Sequence, residues 1–242
     1  MSRKILIYGA TGGIGSATAQ NLKTTGCNLH LVARDEQRLA QLAEELDAGY
    51  TAGDVNDAGL FTRVEHDIGD TLDGLVYAIG TINLRSLKDL DEQDFEQDFR
   101  LNALGAALAV KTALPALKKA TNGASVVLYS SVAAHQGFTF HSSMSMAKCA
   151  VEGLVLALAA ELAPRVRVNA IAPSLTDTPL AGTLLKNEQT AAAISKLHAL
   201  QRIGTPDDIA SLTGFLLSDD ASWITGQVMK VDGGRSTLRA RG

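Results

Sequence analysis

Cysteine is nearly absent from this 242-residue chain: Cys27 and Cys149 each stand alone inside an apolar stretch. No CxxC pair and no Cys/His cluster of metal-ligand spacing can be assembled from them, so no structural metal is expected. Ser/Gly/Pro-rich linkers and low-complexity runs are missing too, which leaves a single domain over residues 1–242 as the expectation. Positive charge is the minority: 22 Lys and Arg stand against 26 Asp and Glu, giving a net charge of −4 with the basic residues scattered. A nucleic-acid footprint needs basic residues clustered on one surface, so nucleic acid is not an expected partner. Long hydrophobic runs are also lacking. The apolar run in "MSRKILIYGATGG" ends after five residues at a glycine loop, too short for a signal-peptide core. The most apolar stretch, Gly153–Ala163, contains Glu161 and is about half the length a bilayer requires. No membrane span is expected, and the cytoplasm is the expected compartment.

What the chain does have is alternation. Short runs rich in Ile, Val and Leu alternate with longer stretches of helical period, the pattern of a parallel sheet covered by helices on both faces. Strands are expected at residues 4–8, 28–32, 74–78, 125–130, 167–172 and 228–231, with a short one near 49–51. Helices are expected at 13–25, 36–45, 95–117, from about Met144 onward, and at 206–217, where Thr205-Pro206 reads as an N-cap followed by proline at the first helical position. Residues 180–200 have helical period and lie between a strand and a well-signalled helix, a place where a substrate lid fits.

"ILIYGATGGIG" sets Gly9, Gly13 and Gly15 directly after the first strand and at the opening of a helix. Glycines there permit close backbone approach, while free helix N–H groups and the helix dipole attract a dinucleotide pyrophosphate. The second strand ends "LVARD", with Arg34 where a ribose-selecting carboxylate would otherwise sit. Arginine pairs with a 2′-phosphate through two parallel hydrogen bonds, which favours NADP(H) over NAD(H), with Asp35 beside it as the opposing charge.

These blocks, with "GDV" (Gly53–Val55), "RLNALGA" around Asn102, "VVLYSSVAA" ending in Ser130-Ser131, "VRVNAIAPSLTDTPL", "QRIGTPDDIA" and "ITGQVMKVDGG", resemble the short-chain dehydrogenase/reductase superfamily over nearly the full length, most closely its 3-oxoacyl-thioester (ketoacyl) reductase-like members. The resemblance implies a Rossmann-like doubly wound α/β fold with a mostly parallel sheet of about seven strands. It also implies hydride transfer between NADP(H) and a small-molecule carbonyl or alcohol, and a homodimer or homotetramer. By the same resemblance, Ser131 binds the substrate oxygen, Lys148 holds the nicotinamide ribose, and Asn102 positions a water. Gly9, Thr11, Gly13, Ile14, Gly15, Arg34, Asp54, Val55, Ala78, Gly80, Pro173, Thr176 and Thr178 fall on cofactor-binding positions.

The pattern breaks at one residue above all. The family's proton donor is a tyrosine four positions before the lysine, and here that position is Met144, which has no ionisable proton. The family's "NNAG" is "YAIG" (Tyr77–Gly80) and its "PG" is Pro173-Ser174. His141 lies seven positions before Lys148. On a helix 141, 144 and 148 share one face, unless Ser142 or Ser143 caps the helix and leaves His141 in the entering loop. An imidazole can donate a proton at neutral pH, which makes His141 the candidate donor, a water ordered by Lys148 and Asn102 the alternative, and His135 a weaker rival. The seven-residue spacing resembles the enoyl-thioester reductases, and so does "DGLVYAIG", whereas the glycine loop follows the ketone-reductase form. The expectation is an NADPH-dependent carbonyl reductase with an atypical proton donor. The alternatives are a catalytically impaired NADP(H)-binding sensor or partner protein and an enoyl-thioester reductase.

Overall fold

In the computed structural model, which describes residues 2–239, seven strands form one sheet in the order β3-β2-β1-β4-β5-β6-β7. They are β1 (Lys4–Tyr8), β2 (Asn28–Ala33), β3 (Gly49–Ala52), β4 (Gly74–Tyr77), β5 (Ala124–Tyr129), β6 (Val166–Pro173) and β7 (Val228–Val231). Every neighbouring pair is parallel. The strand order reverses between β1 and β4, so the loops leaving their C-terminal ends diverge and open a crevice.

Side chains alternate across the sheet, and both faces are buried, which is why the strands read as unbroken apolar runs. Ile5, Ile7, Leu29, Leu31, Val76 and Val127 pack with helices α1 (Gly13–Thr24), α2 (Glu36–Glu45) and α9 (Pro206–Leu217). Leu6, Tyr8, Leu75, Tyr77, Val126 and Leu128 pack with α3 (Ala58–Ile68), α5 (Gly105–Lys118) and α6 (Ser142–Leu162). Thr205 and Asp208 form the expected capping box of α9.

Two expectations need correction. Helix α3 was not among the expected helices, although its signals are local: the Asp57 side chain accepts from Gly59 N at the start, and Gly69 closes it at φ 65°. The helix expected at 95–117 is two helices, α4 (Glu92–Phe99) and α5, joined by a π turn over Arg100–Leu104. Helix α6 runs for 21 residues at a mean hydropathy of 1.4, long and apolar enough by composition to cross a membrane. It nevertheless buries Lys148 and Glu152 and packs on the sheet. The helical period of residues 180–200 is realised as two short helices, α7 (Gly182–Leu185) and α8 (Glu188–Lys196).

Candidate active site

The glycine loop is fixed by the protein's own backbone. A Cβ on Gly15 would stand 2.2 Å from the Gly9 carbonyl oxygen, and one on Gly9, which sits at φ +77°, would stand 2.7 Å from the carbonyl oxygen of Ala78. The first turn of α1 carries no acidic residue, and its cap residue, Gly12, supplies no side chain. Its free N–H groups therefore face the crevice unneutralised, and the donor set fits a pyrophosphate. At the end of β2, Arg34 is 76% exposed at its side chain and pairs with Asp54 at 3.6 Å. Asp35 is spent on structure: its carboxylate caps α2 by accepting from Arg38 N at 3.1 Å. Arg38, absent from the expected site, donates from Nη2 to the Thr11 carbonyl at 3.1 Å. It therefore brings a second guanidinium to the glycine loop, and its place four residues after Arg34 on the first turn of α2 was the signal. Val55 is buried in the core, so only its backbone is available to a ligand.

At the C-terminal ends of β4, β5 and β6 a cavity of about 410 Å³ opens, lined among others by Ile14, Ala78, Gly80, Ser131, His141, Met144, Lys148, Pro173, Thr176 and Thr178. Ser131 follows β5, and its Oγ accepts from Ala133 N at 3.1 Å, which leaves its hydroxyl proton free to donate. Ser130 is occupied elsewhere, donating to Glu152 Oε1 at 2.5 Å. Thr178 accepts from Ala181 N at 3.3 Å, and its methyl lies where a Cβ on Gly13 would fall.

Lys148 is buried on α6, with its ammonium donating to the Tyr129 carbonyl at 2.9 Å. Burial lowers its pKa to about 8, and the charge of Asp98 works in the opposite direction. Asn102 sits inside the π turn and donates from Nδ2 to the Asp98 carbonyl at 2.8 Å and to Thr81 Oγ1 at 3.0 Å. A π turn inserts one extra residue and re-aims the side chains it carries. Asn102 Oδ1 is buried with no partner among the described residues. A Cβ built on Gly80 would lie 3.1 Å from this oxygen and 3.3 Å from Lys148 Nζ, so the two polar atoms converge on one spot beside a glycine.

Met144, four residues before Lys148 on α6, is buried and lines the cavity. Helix α6 begins at Ser142, so His141 is the residue before it rather than a member of its first turn. It lines the cavity all the same, with Nδ1 bonded to the Thr139 carbonyl at 2.7 Å and its ring 5.3 Å from that of Phe138. A carbonyl can only accept, so Nδ1 carries a proton and Nε2 is the nitrogen left for exchange. His135 does not reach the cavity lining and pairs instead with Glu152. Neither nearby tyrosine replaces the missing phenol. Tyr77 OH donates to the Leu101 carbonyl at 2.8 Å and Tyr129 OH bonds Thr213 Oγ1 at 2.6 Å. Burial drives both pKa values upward, the wrong direction for an acid working at neutral pH.

A family model described as enoyl-(acyl carrier protein) reductase matches residues 9–236. Tropinone reductase-like 3 from Erythroxylum coca is 31% identical over 95% of this chain and 91% of its own. An uncharacterized oxidoreductase from Bacillus subtilis is 32% identical over 97% and 99%. A solved short-chain type dehydrogenase/reductase from Mycobacterium ulcerans superposes with a TM-score of 0.91 at 29% identity, covering 99% of this chain and 93% of that one.

Proposed function

The chain belongs to the short-chain dehydrogenase/reductase superfamily, an oxidoreductase family that uses nicotinamide cofactors, and from that premise we propose that it is an NADPH-dependent carbonyl reductase whose proton donor is His141. The observation that carries this reading is that Ser131, His141, Met144 and Lys148 all line one cavity. When bound, NADPH supplies a hydride from nicotinamide C4. Ser131 donates its free hydroxyl proton in a hydrogen bond to the substrate oxygen as negative charge grows there. His141, as imidazolium, gives its Nε2 proton to that oxygen and is left neutral, with Nδ1–H still on the Thr139 carbonyl. Lys148 holds the nicotinamide ribose, and a water accepted by Asn102 Oδ1 and bonded to Lys148 leads back toward solvent. Arg34 and Arg38 together favour the 2′-phosphate.

The homodimer or homotetramer expected of the family, a cytoplasmic location and a lid over residues 180–200 belong to the same reading. Leu180, Ala181, Leu184 and Ile194 line the cavity, so the lid would supply an apolar wall. Two other readings have support of their own. The buried Met144 supports a binding protein without turnover, and the matched family description with the His141–Lys148 spacing supports enoyl reduction.

The test is NADPH and NADH oxidation against ketones, 3-oxoacyl thioesters and enoyl thioesters. Carbonyl-dependent oxidation with NADPH preferred is expected. Tight NADPH binding without turnover across the panel gives the binding protein, and turnover of enoyl substrates alone gives the enoyl reductase.

A further inference from the structure

Arg235, like Arg38, Arg100, Arg165 and Arg167, forms no ion pair among the described residues, but it alone of the described arginines lines the cavity of the candidate site. Arg3, Arg34, Arg63, Arg85 and Arg202 each pair with an aspartate. Arg235 lines the catalytic cavity, half-buried, and has no carboxylate within ion-pair distance among the described residues. Its guanidinium lies over the Phe138 ring, 4.7 Å from the centroid, on the wall that also carries His141. Its sole hydrogen bond among the described residues is a long one, from Nη1 to Ser174 Oγ at 3.4 Å, so four of its five N–H groups are uncommitted.

The turn that presents Arg235 is built for position. Asp232, buried after β7, accepts from Gly234 N and Ser236 N at 2.9 Å each and from the Ser236 hydroxyl. Gly233 and Gly234 take positive φ values of 57° and 83°, which only glycine adopts without strain. The lone pairs of Asp232 are thus engaged by the turn, and its charge reaches Arg235 through space without a direct ion pair.

The cavity's charge has one sign. Among the described residues that line it, Lys148 and Arg235 are cationic, His141 becomes so on protonation, and none is Asp or Glu. Burial works against the charge of Arg235 while the charge of Asp232 works for it, so an arginine touching no carboxylate keeps part of its desolvation cost. A bidentate anion from outside offsets that cost.

We propose that the substrate of this site is a carbonyl compound bearing a carboxylate, and that Arg235, stacked on Phe138, is the group that binds the carboxylate while Ser131 and His141 engage the carbonyl. The proposal rests on the reductase reading given above for turnover, but not for binding. Two oxo-acids, 3-oxobutanoate and 4-oxopentanoate, each compared with its methyl ester, give the direct test. For each pair kcat/KM is measured with NADPH for the natural protein, Arg235→Gln and Arg235→Lys, and binding of the same acids to the NADPH-loaded protein is measured by calorimetry.

The natural protein should prefer acid over ester by about 100-fold, the size of a charge-assisted bidentate contact. Arg235→Gln should bring that ratio close to one through KM, and Arg235→Lys should leave it in between, because lysine keeps the charge and loses the fork. Equal turnover of acid and ester by the natural protein overturns the proposal while the reductase reading stands. Arg235-dependent binding of the acids with no turnover of any compound supports the proposal and removes the reductase reading. A preference for acid that Arg235→Gln leaves intact also overturns it.

Discussion

At the β1–α1 turn a Cβ on Gly15 would meet the Gly9 carbonyl oxygen at 2.2 Å, and one on Gly9 would meet the Ala78 carbonyl oxygen at 2.7 Å. At the β5–α6 wall of the same crevice Met144 is buried four residues before Lys148, and His141, the residue before the helix, lines the same cavity. The first region works through backbone, whose sterics admit one residue type. The second works through side-chain chemistry, which a neighbour at another position can supply if it reaches the same space. Nucleotide binding is therefore expected to be rigidly tied to its motif. Proton transfer can be displaced along the chain without disturbing the scaffold.

The comparison breaks if the glycine loop tolerates a side chain. Gly15→Ala is expected to abolish NADPH binding, because the obstacle is backbone that cannot rotate aside; fluorescence titration at cofactor concentrations up to millimolar reads the loss. A smaller effect sharpens the picture at the β2 edge. Removing both guanidiniums, in Arg34→Ala with Arg38→Ala, is expected to lower the preference for NADPH over NADH by about 100-fold. Arg38→Ala removes one bond to the Thr11 carbonyl but leaves Gly9, Gly13 and Gly15 and their backbone contacts in place, so NADH binding should persist.

The smallest effect lies on the catalytic side. Lys148 falls from an ordinary 10.5 to about 8 on burial, so between those values the unfolded chain holds a proton that the folded chain has released. Stability contributed by this group therefore rises with pH through that window, and below about pH 8 the buried ammonium is a standing cost. Lys148→Met should stabilise the cofactor-free protein by about 2 to 3 kcal/mol more at pH 7 than at pH 10, read from denaturant midpoints at the two pH values. An equal gain at both would mean that the lysine is not held desolvated.

Much of this was legible beforehand, and the difference between the two regions says why. The glycines, the apolar strand runs and the Thr205-Pro206 cap are local signals, and all seven strands stand within a residue or two of where the pattern put them. The π turn at Asn102 was not legible, because it depends on tertiary bonds to Thr81 and on the Tyr77 hydroxyl donating to the Leu101 carbonyl. Arg235 was not legible for a related reason, since it acts through Phe138, a residue distant in sequence, whereas Arg38, four residues after Arg34, could have been found. Helix α3 could have been found, since Asp57 and Gly69 mark both of its ends. The start of α6 was open in the sequence between Ser142 and Ser143 as caps; in the structure His141 itself is the N-cap residue, without a side-chain cap bond, and both serines lie inside the helix.

The central claim is that the proton donor has moved from position 144 to position 141. Single-turnover oxidation of NADPH by a substrate ketone, followed from pH 5 to 9 in the natural protein, His141→Ala and Met144→Tyr, tests it most directly. The account predicts that His141→Ala slows the step by about 100- to 1,000-fold with the NADPH dissociation constant unchanged, and that adding Met144→Tyr to His141→Ala restores turnover. Full activity in His141→Ala with an unaltered pH profile would contradict it.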